Sequence, residues 1–492
     1  IYTYFDPDRQ NVVNSVYDGS SGYEFKDEKV QLGMVVLNNS DGTMVAVGSR
    51  RNHDGEMQFN YATSINRHPG SIIKPILDYG PAIEYLNWNT YTPLFDEETP
   101  YNKGGVIKNW NGKYDGLVTL KTGLSKSLNT TALQAFHATT NDQKWKFSTS
   151  LGVTPGNSDG KIFESASIGA FEGTNPKQMA GAYATIANDG EYIEPTFYTK
   201  AVDSNGNIVL EPNQPTERVC SVQTAYIVKD LMKSVVNDSA GTATYTRISG
   251  MDLAAKTGTT NEDKERWMCG FTNYYSCAVL YAFDEPRTIT KSSKQSSGLI
   301  FANIMKEIHS GLEKSTFKQP DGIVSARVCR TSGMLASDKC TDTYSEIFVE
   351  GKLPETCDAH QGTYTICTES GLLANQYCPE SSRKVRETGY VIEKERLDLW
   401  NTLEGRESEN SSPTEYCNIH KAPEEKPTES TKPTEGTKPS ESTKPTESTK
   451  PADDTSSTKP TESTKPTEST KPSEGETTPT PDLPEEDTNT EE

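Results

Sequence analysis

The stretch HPGSIIKPILDYGPAIEYL, residues 68–86, sets Ser71 three positions before Lys74. On a helix, residues three apart share a face, so this spacing brings a hydroxyl and an amine together. A serine hydroxyl is a weak nucleophile at neutral pH and needs an adjacent base, which the lysine could supply. The spelling S-x-x-K does not decide the matter alone. It recurs at Ser158, Ser315, Ser381 and Ser456. The rest of the chain has to choose among them.

The chain has 492 residues, too many for one ordinary domain, and begins at Ile1. It has no signal peptide and no run of 18 or more apolar residues, so a membrane anchor is expected only in a segment upstream of it. From Lys421 to Glu492 the units TKPTEST, TKPSEST and TKPTEG recur. Apart from prolines, only Ala422, Ala452 and Leu483 are apolar there. Such a tail has nothing to bury and is expected to be disordered, a spacer through a cell wall. It carries 9 Lys against 18 Asp plus Glu, within a whole-chain charge of −21. An acidic body without a basic stripe argues against nucleic acid as a partner.

Hydrophobic patterning supplies the architecture. VQLGMVVLNNSDGTMVAVGS (30–49) is two apolar runs around Asn39-Ser40-Asp41-Gly42, a hairpin signal. NPKQMAGAYATIANDG (175–190) opens on Asn175 as N-cap and Pro176 and closes on Gly190. SVQTAYIVKDLMKSVV (221–236) is a second capped amphipathic helix, and WMCGFTNYYSCAVLYAF (267–283) reads as strand, turn, strand. In SSGLIFANIMKEIHSGL (296–312), Leu299, Ile300, Ile304, Ile308 and Leu312 are expected on one helical face. Strands at both ends and helices between them predict an α+β domain over 26–315, with an antiparallel sheet built from both chain ends and a helical insertion. Residues 1–25 read as an interdomain linker.

Three short motifs occur in order: Ser71-Ile72-Ile73-Lys74, then Ser127-Leu128-Asn129, then Lys256-Thr257-Gly258-Thr259-Thr260. Each has decoys. Another K-T-G at Lys121 precedes the S-x-N, and S-x-N recurs at Ser64 and Ser408, but only one combination has this order and spacing. A P-loop would need glycine before Lys256, where Ala255 stands. The six histidines form no H-E-x-x-H; His68 reads as a surface residue of the loop before Ser71, and Glu84 as solvated.

The trio resembles that of serine β-lactamases and penicillin-binding proteins. FNYATSINRHPGSIIKPILDYGPAIE resembles the segment around the nucleophile in the transpeptidase domain of class A penicillin-binding proteins. YDGLVTLKTGLSKSLNTTAL resembles their S-x-N segment, and SIGAFEGTNPKQMAGAYATIANDG and MDLAAKTGTTNEDKERWMCGFT resemble later ones. The resemblance covers roughly 26–312. It implies a β-lactamase/transpeptidase-like fold, an antiparallel sheet flanked by helices with a helical subdomain. It implies a D,D-transpeptidase that takes peptidoglycan stem peptides, is acylated by β-lactam antibiotics, and works without cofactor or catalytic metal at the extracellular face of the membrane or in the wall. Class A proteins also carry a glycosyltransferase domain upstream, and this chain is bifunctional only if such a domain precedes it.

The resemblance assigns the roles. Ser71 is the nucleophile and Lys74 its base, kept neutral by burial and by Lys256 as a second cation. Ser127 relays a proton to the leaving amine, and Asn129 binds a substrate amide. Thr257, Gly258, Thr259 and Thr260 bind substrate along an edge strand, with Gly258 allowing its backbone close. The backbone N–H groups of Ser71 and Thr259 form the oxyanion hole. A D,D-carboxypeptidase would use the same residues with water as acceptor. A β-lactamase would need a deacylating base, and no clear E-x-x-L-N occurs. A non-catalytic β-lactam sensor or wall-binding scaffold is the reading from a different class.

Beyond the domain, CRTSGMLASDKC (329–340) and CTESGLLANQYC (367–378) are one phrase written twice, each followed by C-x-x-H at Cys357/His360 and Cys417/His420. Residues 316–420 therefore read as two tandem Cys-rich modules. Outside the cell cysteines usually pair, so Cys329–Cys340 and Cys367–Cys378 disulfides are expected. Three cysteines per module suit disulfides poorly, and a Cys₃His zinc site is the alternative. Cys269 and Cys277 flank the 267–283 hairpin as a further candidate pair.

Overall fold

The Asn39-Ser40-Asp41-Gly42 turn forms as its residues demand. Asp41 Oδ1 accepts from Thr43 N at 2.9 Å, and Gly42 takes φ +68°, a left-handed conformation that glycine adopts without cost. It joins strands β1 (Val30–Asn38) and β2 (Met44–Gly48). The computed structural model of the chain describes residues 1–52, 59–157, 160–290, 296–330, 332–357, 363–387 and 415–421. The expected disorder of the tail beyond Lys421 lies outside them.

Three later strands complete the sheet: β3 (Ala254–Thr259), β4 (Glu265–Phe271) and β5 (Tyr275–Phe283). Their order across the sheet is β3-β4-β5-β1-β2, and every neighbouring pair is antiparallel. The sheet is thus made from both ends of the domain, as the sequence predicts. The inner strands β4 and β5 are buried along almost their whole length, with helices packed on the sheet. Strand β3, with Lys256-Thr257-Gly258, lies at the edge.

Helices cover the sheet. Pro176–Ala187 is capped by the Asn175 side chain and buries Met179, Tyr183 and Ile186. Ser296–Ile308 buries Ile300, Phe301, Ile304, Met305 and Ile308. Leu299, expected on that face, is 45% exposed, because Phe301 and Met305 complete the stripe instead. Residues 1–25, expected as a linker, instead contribute a helix, Pro7–Tyr17. Asp6 caps it, and Val13 and Val16 are fully buried in the main core. Among the described residues no helix is long and apolar enough to cross a membrane.

Cys269 lies opposite Ala278 and Cys277 opposite Gly270. Facing residues share a side of the sheet, so the two thiols point to opposite faces and do not pair. The modules repeat in structure as in sequence. β6 (Ile323–Cys329) pairs with β7 (Thr343–Val349), and β8 (Thr363–Cys367) with β9 (Arg383–Glu387). Neither expected module disulfide is formed: Cys340 and Cys378 both carry free thiols. The first module rests on the helical part of the domain. There Tyr91 packs with Val328 and Phe348 and stacks on Tyr344, and Lys121 pairs with Glu346 at 3.4 Å.

Candidate active site

Gly70 opens the site. Its φ is +57°, and a Cβ there would sit 2.6 Å from the Thr259 carbonyl oxygen, so only glycine lets the chain turn this tightly against the end of β3. Gly70–Ile73 winds as a 3₁₀ turn, with Lys74 N donating to Ser71 O. Pro75 has no N–H to continue an α-helix. The next turn is wide, a π segment over Pro75–Tyr79 in which Gly80 N reaches back to Pro75 O; the α-helix proper is Gly80–Leu86. Carbonyls freed by these changes of pitch find partners elsewhere. Tyr183 Oη donates to Ile72 O at 2.7 Å and Ser148 Oγ to Ile76 O at 3.4 Å.

Lys74 is fully buried. Its Nζ donates to Ser127 O and Leu128 O, both at 3.0 Å, and to Asn129 Oδ1 at 2.8 Å. Burial pulls its pKa down to about 7, against the opposing pull of Asp78. The amine is aimed at the Ser127–Asn129 turn; Ser71 Oγ has no hydrogen-bond partner among the described residues.

Ser127 sits at φ +58°, a left-handed conformation that costs a non-glycine residue about 1–3 kcal/mol and persists where the surroundings fix it. Those surroundings are two lysines. Lys74 holds the Ser127 carbonyl, and Lys256, also fully buried, donates from Nζ to Ser127 Oγ at 2.7 Å and to Thr257 O at 2.9 Å. Burial, then the nearby Lys74 charge, pushes the Lys256 pKa well below the usual lysine range.

Thr260 N donates to Glu265 O at 3.2 Å. Hydrogen-bonded pairs alternate along an antiparallel ladder, so the backbone groups of Thr257 and Thr259 turn away from β4 toward the open edge. Thr259 is exposed, and the Thr257 hydroxyl lies 2.8 Å from that of Thr242. A cavity of about 430 Å³ beside the loop before Ser71 is lined by Arg67, His68, Gly169, Thr260 and Glu265, among others, and not by Ser71, Lys74, Ser127 or Lys256. Through the bonds of Lys74 and Lys256 to Ser127, the three motifs, far apart in sequence, meet in one place.

Residues 32–306 match the family described as "Penicillin binding protein transpeptidase domain", over more than half of the chain. The chain belongs to the penicillin-binding protein transpeptidase family. Residues 319–362 match a second description, "Penicillin-binding protein 1A, C-terminal domain", which takes in the first Cys module. Penicillin-binding protein 1A/1B of Bacillus subtilis is 33% identical over 385 residues, 72% of this chain and 41% of that protein. Penicillin-binding protein 1A of Clostridium botulinum is 30% identical over 387 residues, 75% of this chain and 46% of that protein. The chain thus spans less than half the length of these relatives. Its fold is that of penicillin-binding transpeptidase domains. The crystal structure of penicillin-binding protein 1A from Haemophilus influenzae superposes with a TM-score of 0.59 at 24% identity, over 66% of this chain and 54% of that one. PonA1 from Mycobacterium tuberculosis, solved in complex with penicillin V, gives 0.56 at 22%, over 65% and 88%.

Several site residues of this penicillin-binding domain are placed otherwise than sequence reasoning expects. The Asn129 amide is spent on the protein: Oδ1 accepts from Lys74, and Nδ2 donates to Lys108 O at 2.8 Å. The Thr260 hydroxyl is turned to the Glu265 carboxylate and is buried. A Cβ on Gly258 would meet Pro69 O at 2.7 Å and Trp267, so this glycine serves the packing of β3 under the Ser71 turn. Glu84, expected in solvent, accepts from Ser221 N and Oγ and holds the start of the helix Val222–Asn237. His68 is exposed, as expected.

Asp78 went unnoticed in the sequence. It is fully buried, neither carboxylate oxygen has a hydrogen-bond partner, and burial raises its pKa well above the carboxylate range. Its place four residues after Lys74 was the available signal. Nothing in the sequence announced Thr242 or Tyr183.

Proposed function

We propose that this domain is a serine D,D-transpeptidase that cross-links peptidoglycan stem peptides and is acylated by β-lactams. The observation that carries the reading is Ser127, its carbonyl held by Lys74 and its hydroxyl by Lys256. Ser71 Oγ attacks the carbonyl of the penultimate D-alanine and passes its proton to neutral Lys74. The N–H groups of Ser71 and Thr259 receive the oxyanion. The C–N bond breaks, and Ser127 hands a proton to the departing D-alanine amine while the proton held by Lys74 replaces it on Ser127. The amine of a second stem then attacks the ester, forms the cross-link and returns a proton to Ser71 Oγ. Asn129, Thr257, Gly258, Thr259 and Thr260 shape the groove, with Lys256 and the Thr257 and Thr259 hydroxyls suited to the terminal carboxylate.

The names of the relatives and the penicillin V complex of PonA1 support this reading. We place the domain at 26–315, with the Cys modules over 316–420, working on the outer face of the membrane or in the wall. The test is a product assay with a stem peptide ending in D-Ala-D-Ala and an amine acceptor. A cross-linked product is expected. A shortened peptide alone would make the domain a carboxypeptidase, and intact substrate would leave a scaffold.

A further inference from the structure

In the second C-terminal module, three thiols and an imidazole converge. The sulfurs of Cys367, Cys378 and Cys417 and a ring nitrogen of His420 all lie within 4.8 Å of one another. They come from separated pieces of chain. Cys367 ends β8, and a tight turn follows in which Cys367 N donates to Leu372 O and Gly371 N to Cys367 O. Cys378 follows a turn at Asn375. Cys417 and His420 are brought in by pairing: Leu373 N donates to Glu415 O at 2.9 Å, and Cys417 N to Leu373 O at 2.7 Å. The Asn375 side chain then clamps the incoming segment, donating from Nδ2 to Cys417 O at 2.8 Å and His420 O at 2.9 Å.

We propose that Cys367, Cys378, Cys417 and His420 form a structural zinc site. Four donors at tetrahedral corners around zinc, at about 2.3 Å for sulfur and 2.0–2.1 Å for nitrogen, stand about 3.5 Å apart along a sulfur–nitrogen edge. His420 Nδ1 lies 3.4 Å from Cys417 Sγ and 3.5 Å from Cys367 Sγ. The other ring nitrogen, Nε2, lies 3.5 Å from the Glu369 carboxylate, the partner a metal-bound histidine needs to fix its ring and tautomer. All three thiols are buried and unbridged. A disulfide would leave one of them over, whereas zinc uses all three. Soft thiolates with one imidazole, and no position left open, select zinc in a structural role.

The module's packing gives the reason for such a staple. Among the described residues the buried apolar cluster there consists of the three cysteines themselves, with Ala374 packed against them. A piece this small cannot hold its shape on so little burial and needs a cross-link or a metal. In the first module the sulfurs of Cys329, Cys340 and Cys357 draw together in the same way. The inference concerns the module alone and stands whether or not Ser71 is acylated.

The test uses the full chain, purified without chelator, with elemental analysis, cobalt substitution and a non-reducing peptide map. Wild type is expected to retain zinc through dialysis. Cys378→Ser and His420→Ala should each lose one equivalent per chain relative to wild type. Co²⁺ in place of Zn²⁺ should give thiolate charge-transfer bands and the intense visible bands of a tetrahedral site. A Cys367–Cys378 disulfide in the map of the wild type would overturn the proposal. So would a wild type that keeps no zinc and gives no tetrahedral cobalt spectrum; neither result depends on a variant folding.

Discussion

Lys256 Nζ lies 2.7 Å from Ser127 Oγ, while Lys74 holds the carbonyl of the same serine at 3.0 Å. A serine hydrogen-bonded to a buried amine through its hydroxyl is placed to pass a proton. Ser127→Ala should therefore lower the rate of acylation by a penicillin about 10²–10⁴-fold, the span general acid–base contributions cover. Stopped-flow acylation with a fluorescent penicillin measures it. An unchanged rate would remove Ser127 from the chemistry.

Acylation should depend on pH through Lys74. Only the neutral amine can take the Ser71 proton, and burial sets its pKa at about 7. Below that pH the lysine is protonated and the rate should fall about tenfold per unit; above it the rate should level off. A flat profile between pH 5.5 and 8.5 would show that another group is the base.

An ionised Asp78, which burial itself disfavours, would favour the protonated amine of Lys74 through its charge. Asp78→Asn removes it, so the acid limb of the same profile should move below 7. The conservative amide keeps the volume, and a melting curve reports any packing loss separately. A limb that stays in place would mean that Asp78 is neutral in the working enzyme.

Gly70→Ala should be costly. The left-handed φ and the Thr259 carbonyl, 2.6 Å from the new Cβ, together predict a stability loss of about 1–3 kcal/mol and loss of acylation, read by denaturant melts and penicillin labelling. Glu84→Ala touches only the start of the helix Val222–Asn237. It should cost about 1 kcal/mol while leaving acylation intact.

Local chemistry made the fold legible. Asn39-Ser40-Asp41-Gly42 forced a hairpin, and Asn175-Pro176 started a helix, because those residues have few other conformations. The candidate site was legible through order and spacing: Lys74, Ser127 and Lys256 converge because the edge strand and two turns bring them together. What escaped was set by tertiary packing. Residues 1–25 showed their cap at Asp6-Pro7, but two buried valines made too weak a stripe to outweigh a linker. Leu299 never belonged to that stripe: at 3.6 residues per turn it lies half a turn round the helix from Ile308. The π turn after Pro75, the capture of Asn129 by Lys74 and the docking of Tyr91 on Tyr344 each need a partner from a distant segment, which no local pattern records.

The most direct test is intact mass after incubation with a penicillin, on wild type and on Ser71→Ala. The account predicts a single stable adduct of the drug's mass on the wild type and none on the variant. No adduct on folded wild type, or an adduct that survives the loss of Ser71, would contradict it.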